Sequence, residues 1–224
     1  MQKIVGKSLY DGRKPSYLNL ILNVIIILFV LVFIAELTFN SAYTNIYVKG
    51  QSMTPTLNGA PTGVGNSVLE GGDYVFVNTR IKPDYFDIVV VETGDKGHSY
   101  DIIKRVVAFG GDTVKMDRGQ LSVKYAGTDT FVAIDEPYVL DVNNDPSLQI
   151  NNFGEHVVEE GCMFLLGDNR NVSEDSRRRG DFSLGSLVGV VPKWSLKNKS
   201  MITKLYSFFE FKLGFSRINN IYGD

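Results

Sequence analysis

Three polar blocks break into apolar or turn-rich stretches of this 224-residue chain, and each holds a residue type able to do acyl chemistry. Gly50-Gln-Ser-Met-Thr-Pro-Thr-Leu57 places Ser52 in a turn after a short β-like run. The stretch from Tyr100 to Asp112 sets Lys104 among Ile102, Ile103, Val106 and Val107. The third block runs from Gly167 to Arg177 and contains Asp168, Asn169, Ser173 and Asp175. A serine hydroxyl attacks poorly unless a nearby base takes its proton. The chain has two histidines, His98 and His156, and neither lies in a block, which disfavours a Ser-His-Asp arrangement. Lysine can replace histidine only when uncharged. Burial among apolar side chains disfavours the ammonium and pulls the pKa down from about 10.4. Ser52 as nucleophile with Lys104 as general base is therefore the chemistry these residues allow. Singly, each block also fits a turn serine, a solvent-facing lysine or a polar loop.

The elements that must position these groups begin with an apolar segment. Residues 17–37 read YLNLILNVIIILFVLVFIAEL. As a helix this spans about 31 Å, enough to cross a bilayer core. Lys3, Lys7, Arg13 and Lys14 precede it against Asp11, and no basic residue follows until Lys49. The positive-inside rule then predicts a cytoplasmic N-terminus and an extracytoplasmic remainder. A cleavable signal peptide would carry a shorter apolar run and an Ala-x-Ala-like site. Here the run is longer, and Ser41 and Ala42 are the nearest small residues.

Beyond the anchor the pattern turns to β. Runs at 45–48, 74–78, 87–92, 102–108, 113–116, 120–125, 162–166 and 187–191 are β-branched or aromatic and bounded by Gly, Asp, Asn or Pro. No helical repeat separates them, which predicts a mainly β protein with an antiparallel, barrel-like or two-sheet catalytic domain. The polar, turn-rich stretch 119–160 reads as a smaller β insertion. The expected organisation is a cytoplasmic tail at 1–16, a transmembrane anchor at 17–37, the catalytic domain at 38–118 and 161–196, the insertion at 119–160, and a C-terminal tail at 197–224. That tail mixes lysines with aromatics. It fits either an interfacial helix or an element packed on the domain.

Composition narrows the function. With 23 basic and 25 acidic residues, nothing marks a nucleic-acid binder. The single Cys162 rules out an internal disulfide and speaks against redox or thiolate-metal chemistry. Two histidines make no His-rich metal cluster. No metal or cofactor is assigned.

The blocks, in this order behind an anchor, resemble type I signal peptidases (leader peptidases). The matches are Ser52, Met53, Pro55, Thr56 and Leu57; Lys104 to Val107 with Gly111 and Asp112; and Gly167 to Arg170 with Ser173, Asp175, Ser176 and Arg177. A fourth block, Phe86-Asp87-Ile88-Val89-Val90, matches the family's Gly-Asp-Ile-Val-Val. The resemblance runs from the anchor to about Trp194. Phe86, Ala108 and Gly110 depart from the family pattern at loop and packing positions. Gly50 stands where some members carry a serine that helps form the oxyanion hole. That leaves the backbone N–H of Ser52 as the main expected donor. The lone anchor is similar to the smaller kind typical of Gram-positive bacteria.

The resemblance implies that Ser173 orients the Lys104 amine. It also implies that Arg105, Asp175 and Arg177 form a structural ion-pair set and that Asp168 and Asn169 fix the turn presenting Ser173. The implied partners are the signal peptides of exported preproteins, the lipid bilayer and a secretion translocon. Such a substrate would add as a β-strand beside exposed edges. Shallow pockets would then read alternate side chains, with Ile46, Val48, Met53, Leu57, Val89, Ile102 and Ile103 as candidate linings. Competing readings are a self-cleaving repressor, a processor dedicated to one surface or pilin substrate, and an inactive substrate-binding paralogue.

Overall fold

A computed structural model describes residues 17–59, 72–95, 98–213 and 219–222. Two units emerge, one covering Met1–Ser41 and one Ala42–Asp224. In the first, helix α1 spans Tyr17–Ala42, with no buried residue. Its 26 residues measure about 39 Å at 1.5 Å per residue, long and apolar enough to cross a membrane. The helix passes the expected end at 37. Thr38 Oγ1 donates to Ala35 O and Ser41 Oγ to Thr38 O, each at 2.8 Å, so these hydroxyls bond back onto the last turns.

The second unit holds strands β1 (Tyr43–Lys49), β2 (Tyr74–Asn78), β3 (Ile88–Asp95), β4 (His98–Phe109), β5 (Thr113–Asp117) and β6 (Gln120–Lys124). They are followed by β7 (Val132–Ala133), β8 (Phe153–Val157), β9 (Cys162–Leu166), β10 (Phe182–Ser183), β11 (Leu187–Val190) and β12 (Asn219–Tyr222). A short helix α2 (Ser176–Arg179) and a long helix α3 (Lys193–Leu213) complete it. Eight strands form one sheet in the order β10-β9-β4-β3-β11-β2-β1-β12, and four form another in the order β7-β6-β5-β8. All described pairings are antiparallel except β1 with β12. The protein is mainly β, with two sheets behind an apolar helix. The smaller sheet already begins at Thr113, ahead of the expected insertion start at 119, because β5 pairs with β6 and β8.

The β3–β4 hairpin explains the near-continuous apolar runs. Pleating sends alternate residues to opposite faces. Ile88, Val90 and Ile103 enter one core with Ile46, Val48, Met53 and Leu57. Val89, Val91, Ile102 and Val106 enter another with Met163 and Leu165. Both faces are buried, so both sets are apolar. A third core places Val114, Met116, Leu121 and Val123 of the smaller sheet against Val107, Phe164 and Leu166.

Helix α3 begins at Lys193, after Pro192, whose fixed φ suits a helix start. It closes an otherwise open strand edge. Strand β11 pairs with β2 only at Val190↔Asn78. Ser195 Oγ and Thr203 Oγ1 instead accept from the backbone N–H groups of Phe76 (2.7 Å) and Tyr74 (2.8 Å). Ile202 packs with Tyr47 and Tyr74 beside them. The helix packs on the domain through these residues and starts at Lys193, four residues ahead of the tail boundary at 197.

Candidate active site

Strand β1 ends at Lys49, and Gly50, with φ at 77°, turns the chain off the sheet edge. A positive φ costs glycine little and most other residues more. The next residues coil into a tight turn in which Leu57 N donates to Met53 O at 2.8 Å. Met53 and Leu57 insert into the core and pin the turn. Ser52 is thereby held in place and only 2 % exposed.

Lys104 comes from the middle of β4 and is 0 % exposed. Its Nζ lies 2.9 Å from Ser52 Oγ and donates to Ile103 O at 3.0 Å. Val89 lies directly across the ladder from Lys104. Pleating puts Ile102 and Val106 on the Lys104 side, and Ile103 and Val107 on the other. The apolar jacket of the amine is therefore Val89, Ile102 and Val106. Ile103 and Val107, expected to belong to it, feed different cores.

The third block supplies the frame. Asn169 N donates to Ser52 O at 2.9 Å, and Asn169 Nδ2 to Thr54 Oγ1 at 3.1 Å. Ser173 N donates to Asn169 O at 3.1 Å, which closes the turn that carries Ser173. Ser173 is buried, and its Oγ has no partner at hydrogen-bonding geometry. Gly167 measures how close the pieces are. A Cβ there would lie 2.2 Å from Ser173 Oγ and 2.5 Å from Ser52 O. Only glycine lets the two serine-bearing turns meet.

The ion pairs form two separate sets, a correction to the single set expected. Arg105 grips Asp168 through Nε (2.8 Å) and Nη2 (2.6 Å), and its Nη1 donates to Phe86 O at 2.8 Å. Burial works against the Arg105 charge, but the Asp168 carboxylate outweighs it and raises the pKa. Arg177 separately holds Asp175, with Nη2 2.8 Å from Oδ2. Burial pushes the Asp175 carboxyl up. The Arg177 hydrogen bonds and charge, the Gly167 N–H and the nearby Ser173 hydroxyl more than reverse this, so it lies below the usual range. Arg105 does not join that pair.

The frame also draws in residues to which the sequence assigned no role. Arg170 is fully buried, donates from Nε to Gly167 O at 3.1 Å, and pairs with Glu136. Tyr138 donates to Glu136 Oε1 at 2.8 Å, and its ring stacks 3.8 Å from the Arg105 guanidinium. Glu136 and Tyr138 come from the stretch between the blocks and close the frame from outside it. His156 pairs with Asp181 at 2.8 Å on the smaller sheet, away from the serine.

The seven residues expected to line substrate pockets are Ile46, Val48, Met53, Leu57, Val89, Ile102 and Ile103. Each is 1 % exposed or less. They have no open surface to offer here. Val89 and Ile102 insulate the amine, while the other five form the core under the Ser52 turn. An apolar residue beside a catalytic block is as compatible with core as with pocket, and here core wins.

Replacing Asp168 by alanine is expected to destabilise the fold by about 3–5 kcal/mol, because it strands a buried guanidinium. Urea unfolding of the variant would measure this, and a loss under about 1 kcal/mol would mean that Arg105 finds water or another partner.

A buried amine in contact with a buried hydroxyl, framed by two ion pairs, is an arrangement compatible with acyl transfer. The family model described as signal peptidase, peptidase S26 matches residues 19–200. The chain therefore belongs to the signal peptidase family. It is 30% identical over 183 residues to a signal peptidase I of Streptococcus pneumoniae, covering 66% of this chain and 79% of that one. It is 32% identical over 163 residues to a signal peptidase I of Bacillus caldolyticus, covering 66% and 77%. Against a crystal structure of a signal peptidase I from Enterococcus faecalis it shows 27% identity and a TM-score of 0.39, covering 50% of this chain and 98% of that one.

Proposed function

We propose that this protein is a membrane-anchored serine endopeptidase that removes N-terminal signal peptides from exported preproteins through Ser52 and Lys104. The observation that carries the reading is the 2.9 Å contact between Ser52 Oγ and the buried Lys104 Nζ. A neutral amine has one lone pair and two N–H bonds. With one N–H directed at Ile103 O, the lone pair is available to the Ser52 hydroxyl proton. Ser52 Oγ attacks the scissile carbonyl, and the amine takes the hydroxyl proton. The tetrahedral oxyanion then collapses onto an acyl-enzyme as the amine returns the proton to the leaving nitrogen. Water repeats the sequence and frees Ser52. The Ser52 backbone N–H is the oxyanion donor in this scheme. Ser173 is the positioning residue. Its buried hydroxyl would accept the second amine N–H, which would aim the lone pair at Ser52.

Helix α1 supplies the anchor, with the positive flank of the sequence setting the cytoplasmic side. Ser52 lies ten residues past its end, so the chain itself keeps the nucleophile close to where a signal peptide leaves the bilayer.

Substrate entry by strand addition meets a second correction to the expectation of an exposed edge. The outer edge of β1 is taken by β12, which runs parallel to it with Val48 opposite Ile221, and also lies beside β4. A substrate strand on that edge must displace Asn219–Tyr222. Deleting residues 214–224 is expected to lower KM for an extended peptide several-fold and leave kcat unchanged. An unchanged KM would mean that substrate uses another edge.

The whole reading is tested by incubating the purified full chain with a panel of preproteins and mapping cuts by mass spectrometry. Cleavage after small residues at −3 and −1 across the panel supports general signal-peptide removal. Cleavage of one surface or pilin substrate alone would mark a dedicated processor. No cut in any member would overturn the reading.

A further inference from the structure

A chain of buried polar contacts runs from the stretch between the motif blocks to Gly167. Pro137 is exposed, whereas its neighbours Glu136 and Tyr138 each reach an arginine. Glu136 Oε1 pairs with Arg170 Nη2. Tyr138 donates to the same oxygen at 2.8 Å and stacks its ring 3.8 Å from the Arg105 guanidinium. The two arginines hold adjacent residues. Arg170 Nε donates to Gly167 O at 3.1 Å, and Arg105 Nε donates to Asp168 Oδ1 at 2.8 Å. Gly167 N donates to Asp175 Oδ2 at 3.0 Å, so Gly167 is fixed on both sides of its Cα. That Cα is where the Ser52 turn and the Ser173 turn meet. Arg170 is fully buried, and among the described residues Glu136 is the one carboxylate that bonds to it. Arg170 Nη1 finds no hydrogen-bond partner among them. The orientation of this guanidinium therefore depends on Glu136.

We infer that Glu136 is a positioning residue for the Ser52–Lys104 pair, acting through Arg170 on Gly167. The inference rests on the protease reading given above. A buried ion pair adds little net stability over apolar side chains of the same size. What it supplies here is direction. The guanidinium is planar, and with Nη2 on Glu136 its Nε is aimed at the Gly167 carbonyl. Without the carboxylate, the buried cation has no counter-charge and must move toward water, which releases Gly167 O. Gly167 can then drift from Ser52 O and Ser173, and the hydrogen bond from Asn169 N to Ser52 O loosens with it.

The test compares Glu136→Gln with the double variant Glu136→Gln, Arg170→Met, each as the full chain in detergent micelles. Glu136→Gln is expected to lower kcat for a preprotein about 10-fold or more with little change in KM, since a displacement of about 1 Å at a reacting atom costs about 10²-fold. The double variant removes the stranded cation and should return the urea midpoint toward wild type. Its kcat should stay low, because Gly167 O has lost its donor. A role in stability alone would restore kcat together with the midpoint. Hydrogen exchange at the Asn169 amide, which donates to Ser52 O at 2.9 Å, gives a readout that needs no turnover. It should quicken about 10-fold in both variants relative to amides of the β3–β4 ladder in the same sample. A wild-type chain that cleaves nothing would sink the protease reading, and the exchange result would then decide the positioning role by itself. Unchanged Asn169 exchange, a wild-type kcat in Glu136→Gln, or a kcat that recovers with the midpoint in the double variant would overturn the proposal.

Discussion

Ser52→Ala and Lys104→Met are each expected to lower kcat/KM for a preprotein by a factor of about 10⁴ or more, while the protein still folds. Ser52→Ala removes the attacking oxygen. Lys104→Met keeps the length and apolar fit of the stem and removes the base within hydrogen-bonding reach of that oxygen. The two losses should not add in the double variant, since the groups act as one unit. Stability moves differently. A polar group at 0 % exposure is held among Val89, Ile102 and Val106 at a cost, so Lys104→Met should leave the unfolding midpoint unchanged or raise it. Lys104→Arg should be as inactive as Lys104→Met, because arginine stays charged, and less stable, because that charge is buried. Peptide hydrolysis and urea unfolding, measured on the same samples, separate the effects. Near-wild-type turnover in Lys104→Met would remove lysine from the chemistry.

The second large effect is expected from one methyl group far smaller than either catalytic side chain. Gly167→Ala places a carbon 2.2 Å from Ser173 Oγ and 2.5 Å from Ser52 O, well inside contact distance. The Ser52 carbonyl is fixed by Asn169 N, and the Gly167 amide is itself bonded to Asp175 Oδ2 at 3.0 Å, so neither side can yield cheaply. Relief must come from moving the Ser52 turn or the Ser173 turn, and a displacement of about 1 Å at a reacting atom costs about 10²-fold in rate. The expected result is a fall of about 10²-fold or more in kcat with little change in KM, plus a loss of about 1–3 kcal/mol in stability from overpacking. An active Gly167→Ala enzyme would show that the two turns are less tightly coupled than the contacts imply.

What the chain reveals before folding differs from part to part. Ser52 and Lys104 stand out because each interrupts its surroundings: a hydroxyl in a turn after a strand, and a lysine inside IIKRVVA. The strands stand out where they are buried on both faces, as in β3, β4 and β9, since double burial leaves long apolar runs. Helix α3 starts earlier than its aromatic-rich part because Ser195, a residue with no helical preference of its own, is recruited to satisfy Phe76 N–H. Strand β12 reads as polar turn, Asn-Asn-Ile-Tyr, and becomes a strand only by pairing with β1. The Arg170–Glu136 and Arg105–Tyr138 contacts reach across more than 30 positions to Glu136 and Tyr138 in a polar loop, where no periodicity marks them. The apolar residues around Ser52 were legible as apolar but not as core or pocket, because local sequence does not say what packs on the opposite side.

The account rests on Lys104 working as an uncharged base, and the pH dependence of kcat/KM addresses that directly. Only the deprotonated amine can accept the Ser52 proton, so activity rises as pH increases through the amine's pKa. For this to happen near neutral pH the amine must titrate below the roughly 10.4 of a free lysine. The profile should climb from acid toward alkaline pH as a single deprotonation. The limb should persist in a variant with both His98 and His156 replaced by glutamine, leaving the lysine as its source. A profile that is flat between about pH 5 and about pH 9, or a limb that vanishes with the histidines, would contradict a lysine base.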